Sequence, residues 1–255
     1  MSGISVLLLA KNEENRIAKA INSVKEFADE IIVIDDESAD KTRQVAENLG
    51  AVVYERPLKR DFAGQYMFGF SKCSCEWIFL MDCDEIVPYE TVKWVQQEVK
   101  EKGLPAKISA VSMKRLNHIW GRPLYYGGSV VDLLRLLKRG EVEMEGKVHS
   151  SFKVKKKTLR TGLFVNHYRL ESVSAMVEKI NNYTEIQCYE KNFDSLSDEE
   201  IKKRLIFRPI KLFWKVYIKK RGYKDGIPGL VWCFLINIFN EELLYVKLLE
   251  RRFKS

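Results

Sequence analysis

Several common nucleotide-binding and metal-binding motifs are missing from this sequence. No GxGxxG follows the first apolar run, which argues against the usual dinucleotide site, and the absence of GxxxxGK[ST] excludes a P-loop hydrolase. The 5 cysteines include no CxxC pair and there are only 3 histidines, so a structural zinc site is not expected. Any phosphate-bearing ligand must therefore be bound in another way.

The chain also lacks the marks of secretion, disorder and low complexity. Residues 1–4 carry no positively charged region ahead of the apolar run, so we predict no signal peptide. Without a signal peptide, we expect the 5 cysteines to be reduced thiols of a cytoplasmic protein, most of them filling the core. With 14 glycines, 6 prolines and 46% hydrophobic residues, the 255-residue chain has a globular composition.

The charge balance favours an anionic partner. Lys and Arg number 43 against 35 Asp and Glu, which gives a net charge of +8. A nucleotide, a phosphate-rich glycolipid, a membrane surface or a nucleic acid would each suit such a surface. No nucleic-acid recognition motif accompanies the basic residues, so nucleic acid is the least favoured of these partners.

Continuous apolar runs alternate with amphipathic segments through the first hundred residues. This pattern predicts parallel strands covered on both faces, an α/β fold with a doubly wound, Rossmann-like sheet. The predicted strands are 4–10, 30–34, 51–54 and 77–81, and the predicted helices include 14–24, 62–72 and 88–102.

Polar residues follow three of these runs, where a sheet of this kind binds its ligands. They are Lys11-Asn12-Glu13, Asp35-Asp36 and Asp82-Cys83-Asp84-Glu85. We expect the two acidic clusters to be neighbours, which is costly unless a cation or sugar hydroxyls lie between them. Two carboxylates in an Asp-x-Asp arrangement can bind Mg²⁺ or Mn²⁺ while a diphosphate completes the coordination.

These residues resemble the opening of the family 2 glycosyltransferases, which have the GT-A fold. The resemblance is carried by segments 4–13, 28–42, 55–57 and 76–85, with Phe62 and Gln65. The most similar branch contains the lipopolysaccharide inner-core β-glucosyltransferases, and that likeness extends over nearly the whole chain. It rests on Arg115-x-Asn117, Gly121-Arg122, 134–136, 145–149, 166–168, 179–184, Arg208-Pro209 and 221–226.

The resemblance implies an inverting, metal-dependent enzyme that transfers a hexose such as glucose from a nucleoside diphosphate sugar, most often a UDP-sugar. The acceptor would be a lipid-linked saccharide such as the lipopolysaccharide inner core. By the same resemblance, Asp36 would contact the base or ribose, Asp82 the ribose or a metal-bound water, and Asp84 the metal (Mg²⁺ or Mn²⁺) and the diphosphate. The remaining nucleotide-site candidates are Leu9, Ala10, Asn12, Glu13 and Asp35.

An inverting transfer needs one general base for the acceptor hydroxyl, and the sequence leaves that base open. The candidates are Asp132, Glu143, Glu145 and His149. The branch usually has Glu where this chain has Ser150, which weakens the obvious choice and raises the rival hypothesis of an inactive nucleotide-binding scaffold. A transferase for another surface polysaccharide or for polyprenyl phosphate is a further alternative.

Arginines and lysines are concentrated in the C-terminal third, where residues 202–224 include no acidic side chain. The spacing of Arg204, Arg208, Lys211, Lys215 and Lys219 predicts one basic stripe on a helix, and Pro209 predicts that this helix begins there. Such a helix suits an anionic membrane surface, whereas the apolar stretch 227–239 is too short to cross a bilayer.

The resulting expectation is a peripheral protein on the cytoplasmic face of the inner membrane. It divides into a transferase domain, 1–195, and a basic helical region, 196–255. Within the first domain, residues 1–102 form the nucleotide half and 103–195 the acceptor half. Exposed arginines of the acceptor half, Arg122, Arg135 and Arg139, would contact an anionic ligand or form a solvated face. A homo-oligomer is left open.

Overall fold

A computed structural model of the chain describes residues 2–59, 61–145, 151–170, 172–190 and 196–254. Its strands are β1 (Ile4–Ala10), β2 (Glu30–Asp35), β3 (Val52–Glu55), β4 (Trp77–Asp82), β5 (Glu85–Ile86), β6 (Ile108–Ile119), β7 (Arg122–Pro123), β8 (Val131–Lys138), β9 (Val142–Glu145), β10 (Ser151–Val154) and β11 (Lys157–Leu170). Its helices are α1 (Ile17–Asn22), α2 (Thr42–Asn48), α3 (Phe62–Lys72), α4 (Tyr89–Trp94), α5 (Val173–Glu190), α6 (Asp198–Phe213), α7 (Gly226–Val231) and α8 (Asn240–Lys254). Wider π-helical turns continue three of them, Val95–Glu101 after α4, Trp214–Lys219 after α6 and Trp232–Phe239 after α7, and Gly222–Asp225 is a 3₁₀ turn.

A mixed sheet forms the core of the fold, with strand order β3-β2-β1-β4-β8-β6-β11-β5 and β7 paired with β6. β1 is parallel to both β2 and β4, and β2 is parallel to β3, whereas β8 is antiparallel to β4 and β11 is antiparallel to β5. Strands β9 and β10 form a separate antiparallel pair. The predicted α/β, Rossmann-like sheet with a helical C-terminal extension is confirmed.

The central strands are apolar at nearly every position because helices cover both faces of the sheet. On one face, Val6 and Leu8 pack in a cluster with residues of α1 and of the helix that begins at Tyr89. On the other face, Leu7 and Ile34 pack beneath α3. There Gly69 lets the helix approach closely, since an added Cβ would lie 2.7 Å from Leu7 Cδ1.

The chain forms two compact units. The first comprises residues 1–115 and 132–167, which include the parallel strands and most of the antiparallel ones. The second comprises residues 116–131 and 168–255 and contains α5 to α8. In the second unit, Leu244, Tyr245 and Leu248 of α8 form a core with Cys188 of α5 and Ile201 of α6.

The prediction that a helix begins at Pro209 is wrong. Helix α6 begins at Asp198, where Ser197 and Glu200 form a capping box in which each side chain bonds the other's backbone N–H. Pro209 lies inside the helix. It removes one backbone donor, and the strong N-terminal cap together with packing in the second unit keeps the helix intact across that position.

One long helical run closes the chain. Residues 222–254 are helical without a break, and the most apolar 18-residue window has a mean hydropathy of 1.3. By length and composition this run is able to cross a membrane. Its charge-free part, 226–240, is about 22 Å long at 1.5 Å per residue, against the ~30 Å of a bilayer's hydrocarbon.

Candidate functional site

The carboxyl ends of β1, β2 and β4 meet at one edge of the sheet. Ala10 pairs with Asp35, and Leu9 pairs with both Ile34 and Asp82. The expectation that the two acidic clusters are direct neighbours is wrong, because β1 lies between β2 and β4. Two strand spacings of ~4.8 Å therefore separate them, and the resulting crevice is wide enough for an extended ligand.

Asp35 and Asp36 at the end of β2 are both buried. One carboxylate oxygen of Asp35 accepts from the Ser38 backbone N–H at 2.9 Å, while its Oδ1 has no hydrogen-bond partner among the described residues. Asp36 accepts from the Leu58 N–H at 2.7 Å and pairs with Lys11 Nζ at 2.8 Å. That hydrogen bond raises the pKa of Lys11, so the ammonium stays charged.

Asn12 and Glu13, two of the predicted nucleotide-site residues, connect the loop after β1 to the loop after β2. Asn12, which has a positive φ of 54°, accepts from the Ala39 N–H, and its own N–H bonds to Ser38 Oγ. The N–H of Glu13 bonds to Thr42 Oγ1 at 2.7 Å. These bonds give the crevice wall a fixed shape without a glycine-rich turn.

A buried ionic network supports Asp82. Its side chain pairs with Arg115, and its N–H donates to Glu85 Oε2 at 2.9 Å. Arg115 also donates from Nε to Glu85 Oε1 at 2.8 Å, and Glu85 pairs in addition with Arg135. Burial by itself lowers the pKa of Arg115, but the charges of Glu85 and Asp82 outweigh it and raise that pKa. Asp82 is thus held by a permanent positive charge.

Arg135 does not occupy the exposed position that its candidate role in anion binding requires. Its side chain is only 4% exposed, and it donates to the Leu80 carbonyl at 3.2 Å besides pairing with Glu85. It is committed to the interior. Arg122 and Arg139 are exposed.

Asp84 lies beside a histidine that the sequence analysis did not assign to the site. Strand β11 pairs His167 with Glu85, and the ring Nε2 of His167 lies 3.4 Å from Asp84 Oδ2. Both side chains are buried, at 8% and 3% exposure. The available signal was the segment Asn166-His167-Tyr168, which belongs to the family resemblance and includes one of only 3 histidines.

The chemistry of these donors fits a divalent cation. Carboxylate oxygens suit Mg²⁺ and Mn²⁺, and Mn²⁺ also accepts an imidazole nitrogen. Within the part of the chain that the structure describes, no group of three or more His, Cys, Asp and Glu side chains forms a complete metal site. Asp84 and His167 are the acidic and imidazole side chains that lie together at this edge, and they would need further ligands to hold a cation.

The candidate general bases are placed differently from one another. Asp132 is exposed at the second position of β8, and the antiparallel pairing of Phe79 with Leu136 brings the start of β8 to the edge where β4 ends. Glu143 lies on β9 and is an exposed partner of Lys155, which lowers the pKa of Glu143. Glu145 ends β9, and His149 lies outside the described residues.

Helix α3 carries Gln65, one of the residues of the family resemblance, and Tyr66 beside it. Gln65 is buried and bonds the Arg56 carbonyl at 2.8 Å. Burial raises the pKa of Tyr66, and the negative charge of Asp82 raises it further, so the phenol stays protonated. A neutral hydroxyl group therefore lies within the electrostatic reach of Asp82.

Comparison with known proteins finds relatives among the glycosyltransferases. The model of glycosyl transferase family 2 matches residues 5–125. An uncharacterized glycosyltransferase of Rickettsia felis is 30% identical over 281 residues, which cover 100% of this chain and 92% of that relative. The lipopolysaccharide core biosynthesis glycosyltransferase LpsC of Rhizobium meliloti is 25% identical, covering 89% of this chain and 85% of its own.

Among solved structures, glucosyl-3-phosphoglycerate synthase from Mycobacterium tuberculosis, in complex with Mn²⁺ and UDP-glucose, is 26% identical, with a TM-score of 0.37. The match covers 45% of this chain and 44% of that one. The likeness to the Rickettsia felis protein, in contrast, extends along the entire sequence. With its Rossmann-like sheet and the matching family model, this chain belongs to glycosyl transferase family 2.

Proposed function

We propose that this chain is an inverting, metal-dependent hexosyltransferase that uses a nucleoside diphosphate sugar, a UDP-sugar in particular, and a lipid-linked saccharide acceptor. The observation that carries the proposal is the edge of the sheet where β2 ends next to Asp36 and β4 ends at Asp82, with Asp84 and His167 3.4 Å apart beside it. That edge offers carboxylates for a nucleoside at one end and a cation site at the other.

The proposed donor lies across the end of β1. Asp36 and the loop that Asn12 connects would bind the base and ribose. Asp82 would make a further contact with the ribose. Asp84 and His167 would hold Mg²⁺ or Mn²⁺ against the diphosphate. When bound there, the cation stabilises the charge of the departing nucleoside diphosphate.

Asp132 is the base that the geometry favours. It is exposed, it lies at the same edge of the sheet as Asp82, and no described ion pair neutralises it. Glu143 is a weaker candidate because Lys155 pairs with it and lowers its pKa. A base must accept the proton of the acceptor hydroxyl, and a carboxylate already held by an ammonium accepts it less readily.

The acceptor proposal is supported by the likeness to LpsC, whose name places it in lipopolysaccharide core biosynthesis. A lipid-linked acceptor would require the enzyme to work at the cytoplasmic face of the inner membrane. The alternatives are transfer to another surface polysaccharide or to polyprenyl phosphate. They are distinguished from this proposal by which acceptor supports turnover.

The first test is thermal unfolding with UDP, GDP, CDP and dTDP, each with Mn²⁺ or with EDTA. A ligand that binds the native state raises the melting temperature by mass action. We expect UDP with Mn²⁺ to give the largest rise and Asp84→Asn to abolish the part that needs metal. Equal results for all four nucleotides, or no rise at all, would contradict the donor proposal.

The second test measures sugar transfer and determines the anomeric configuration of the product. Asp132→Asn should lower kcat by at least about a hundredfold while the UDP-induced rise in melting temperature is unchanged. Glu143→Gln is the matched control and should keep its activity. A chain that binds UDP with Mn²⁺ but transfers to no acceptor would instead be the inactive scaffold.

A further inference from the structure

Helix α6 and its π-helical continuation expose large apolar side chains on one face. Ile206, Phe207, Ile210 and Trp214 are 63%, 55%, 65% and 63% exposed. At 100° per residue these four positions fall within about one quarter of the helix circumference. We name these four residues the aromatic face. Exposed apolar residues are common singly, but a contiguous set on one helix marks an interaction surface.

Further aromatic rings extend this face within the second unit. Phe213 packs against Tyr217 and Phe234, with ring centroids 5.1 and 6.1 Å apart. Tyr217 in turn meets Tyr223 edge-on at 6.3 Å. Phe234 and Tyr223 are themselves about half exposed. The apolar surface therefore continues from α6 onto the 3₁₀ turn and the helix that follows it.

Lysines flank the aromatic face, whereas the arginines of the predicted basic stripe do not. At 100° per residue, Lys202 and Lys211 lie about 40° beyond its two edges and Lys203 lies within it, while Lys215 and Lys219 lie further round the helix. Arg204 donates to the Tyr245 hydroxyl at 3.2 Å, and Arg208 pairs with Glu241 at 2.8 Å, so both are used inside the second unit. The exposed cations of the same helical stretch are Lys202, Lys203, Lys211, Lys215, Lys219 and Lys220.

Several acidic groups on the neighbouring elements are already engaged. In the first turn of α6, Asp198 pairs with Arg252 and Glu200 belongs to the capping box, which leaves Glu199 exposed. On the 3₁₀ turn, Asp225 accepts from the backbone N–H groups of Tyr125 and Tyr126. The exposed surface around the aromatic face thus carries an excess of positive charge.

We propose that the aromatic face docks into the interfacial layer of a bilayer that contains anionic lipid. Apolar and aromatic side chains beside lysines are the composition of helices that lie in a membrane surface. Each lysine keeps its ammonium among the lipid phosphates while its methylene stem lies along the apolar layer. A protein partner would bury the same rings, but the lysines select a negatively charged occupant.

This proposal concerns binding and does not depend on the proposed transfer reaction. It also differs from a membrane-spanning anchor, the role that the length and composition of residues 222–254 would allow. Glu241, Lys247 and Arg252 follow within the same helix and form ion pairs with α5 and α6. Those pairs keep α8 in the core of the second unit.

The test is flotation of the full-length protein with vesicles of phosphatidylcholine alone or with 30% phosphatidylglycerol, at low and high salt. We expect at least tenfold tighter binding to the anionic vesicles, and a loss of that preference at high salt. The double variant Phe207→Gln/Trp214→Gln should bind both vesicles at least tenfold more weakly. The double variant Lys203→Gln/Lys211→Gln should weaken binding to the anionic vesicles only.

Two matched controls keep the test specific. Phe253→Gln changes an aromatic residue of α8 that is even more exposed than Phe207 and Trp214, and Lys41→Gln changes an exposed lysine of the first unit. Both should bind like the wild type. Far-UV circular dichroism and transfer to a water-soluble acceptor should be unchanged in the Phe207/Trp214 variant, which separates a failure of this proposal from a failure of the proposed function.

Three outcomes would overturn the proposal. Binding of the Phe207/Trp214 variant that equals the wild type would show that another surface meets the lipid. Resistance of the membrane-bound protein to alkaline carbonate extraction would show a spanning helix. A wild-type dimer in solution that the same variant dissociates, without any vesicle binding, would assign the face to a second copy.

Discussion

The Glu85 carboxylate is fully buried and forms an ion pair with Arg135, whose side chain is only 4% exposed. This pair lies directly behind Asp82, since Glu85 also accepts the Asp82 backbone N–H. A charge in that position is stable only with its partners, because removing one of them leaves an uncompensated buried ion. We therefore expect the Glu85–Arg135 pair to fix the position of Asp82.

We predict that Glu85→Gln destabilises the chain by about 3–5 kcal/mol, the cost of breaking a buried ion pair. The variant leaves both Arg115 and Arg135 without their shared carboxylate. Urea unfolding measures the loss. Glu47→Gln, an exposed residue of α2, is the matched control and should change stability by less than about 0.5 kcal/mol. A Glu85 variant as stable as the control would refute the importance of the pair.

Arg115 would compete with the proposed metal ion for the charge of the acidic cluster. Its guanidinium pairs with Asp82 and also acts electrostatically on Asp84. We predict that Arg115→Gln binds Mn²⁺ roughly tenfold more tightly in the absence of nucleotide, because a nearby positive charge is gone. Isothermal titration with Mn²⁺ measures this affinity. Arg139→Gln removes an exposed arginine and should leave it unchanged, whereas weaker Mn²⁺ binding by the Arg115 variant would contradict the idea.

Glu30 links stability to pH at the opposite end of β2. Burial raises its pKa, but bonds from Ser5 Oγ at 2.5 Å and the Ser74 N–H at 2.6 Å, with further donors, outweigh this and lower it. A lowered pKa gives stability that is present above the ordinary value of 4.5 and is lost as the pH falls through the native-state pKa.

The expected result is a difference in melting temperature between the wild type and Glu30→Gln that is largest at neutral pH. This difference should shrink as the pH falls below about 4.5. The exposed Glu90→Gln is the control and should follow the wild type throughout. A gap that stays constant down to pH 3 would show that hydrogen bonding to the ionised Glu30 is not the cause.

Close backbone contact in the second unit makes Gly229 sensitive to substitution. A Cβ at this position would lie 2.1 Å from the Gly222 carbonyl oxygen. That oxygen belongs to the backbone, so it cannot move aside as the end of a flexible side chain could. We predict that Gly229→Ala costs at least about 1–3 kcal/mol, as in an overpacked core. Gly103→Ala, where an added Cβ meets nothing within 4 Å, should cost only the strain of its positive φ of 75°, roughly 1 kcal/mol, and the Gly229 variant should lose more in the same unfolding experiment.

The sequence was sufficient for the parallel strands and the acidic ends of β2 and β4. Buried apolar runs bounded by polar residues predicted β1 at 4–10 and α3 at 62–72 as observed. The order of the strands in the sheet could not be predicted from these runs. Nothing local shows that β1 lies between β2 and β4, because the order depends on how the crossover helices pack.

His167 and Arg115 were not recognised as partners of the acidic cluster. Both lie far along the chain from Asp82 and Asp84, and only the pairing of β5 with β11 and the burial of Glu85 bring them together. For helix α6, in contrast, local sequence rules gave predictions that the fold overturned. Local rules placed its start at Pro209 and its arginines outside, whereas the capping box at Ser197 and the contacts of Arg204 and Arg208 reversed both expectations.

The bonds that join the first two loops of the sheet have a consequence for how this protein can evolve. Asn12 with Ser38, Glu13 with Thr42 and Glu14 with Asp40 connect residues of one loop to residues of the other. In each of these bonds the donor is a backbone N–H of the first loop and the acceptor is a side chain of the second. We therefore expect homologous sequences to keep an oxygen-bearing side chain at positions 38, 40 and 42, whereas these three bonds constrain the backbone of residues 12–14 and not their side chains.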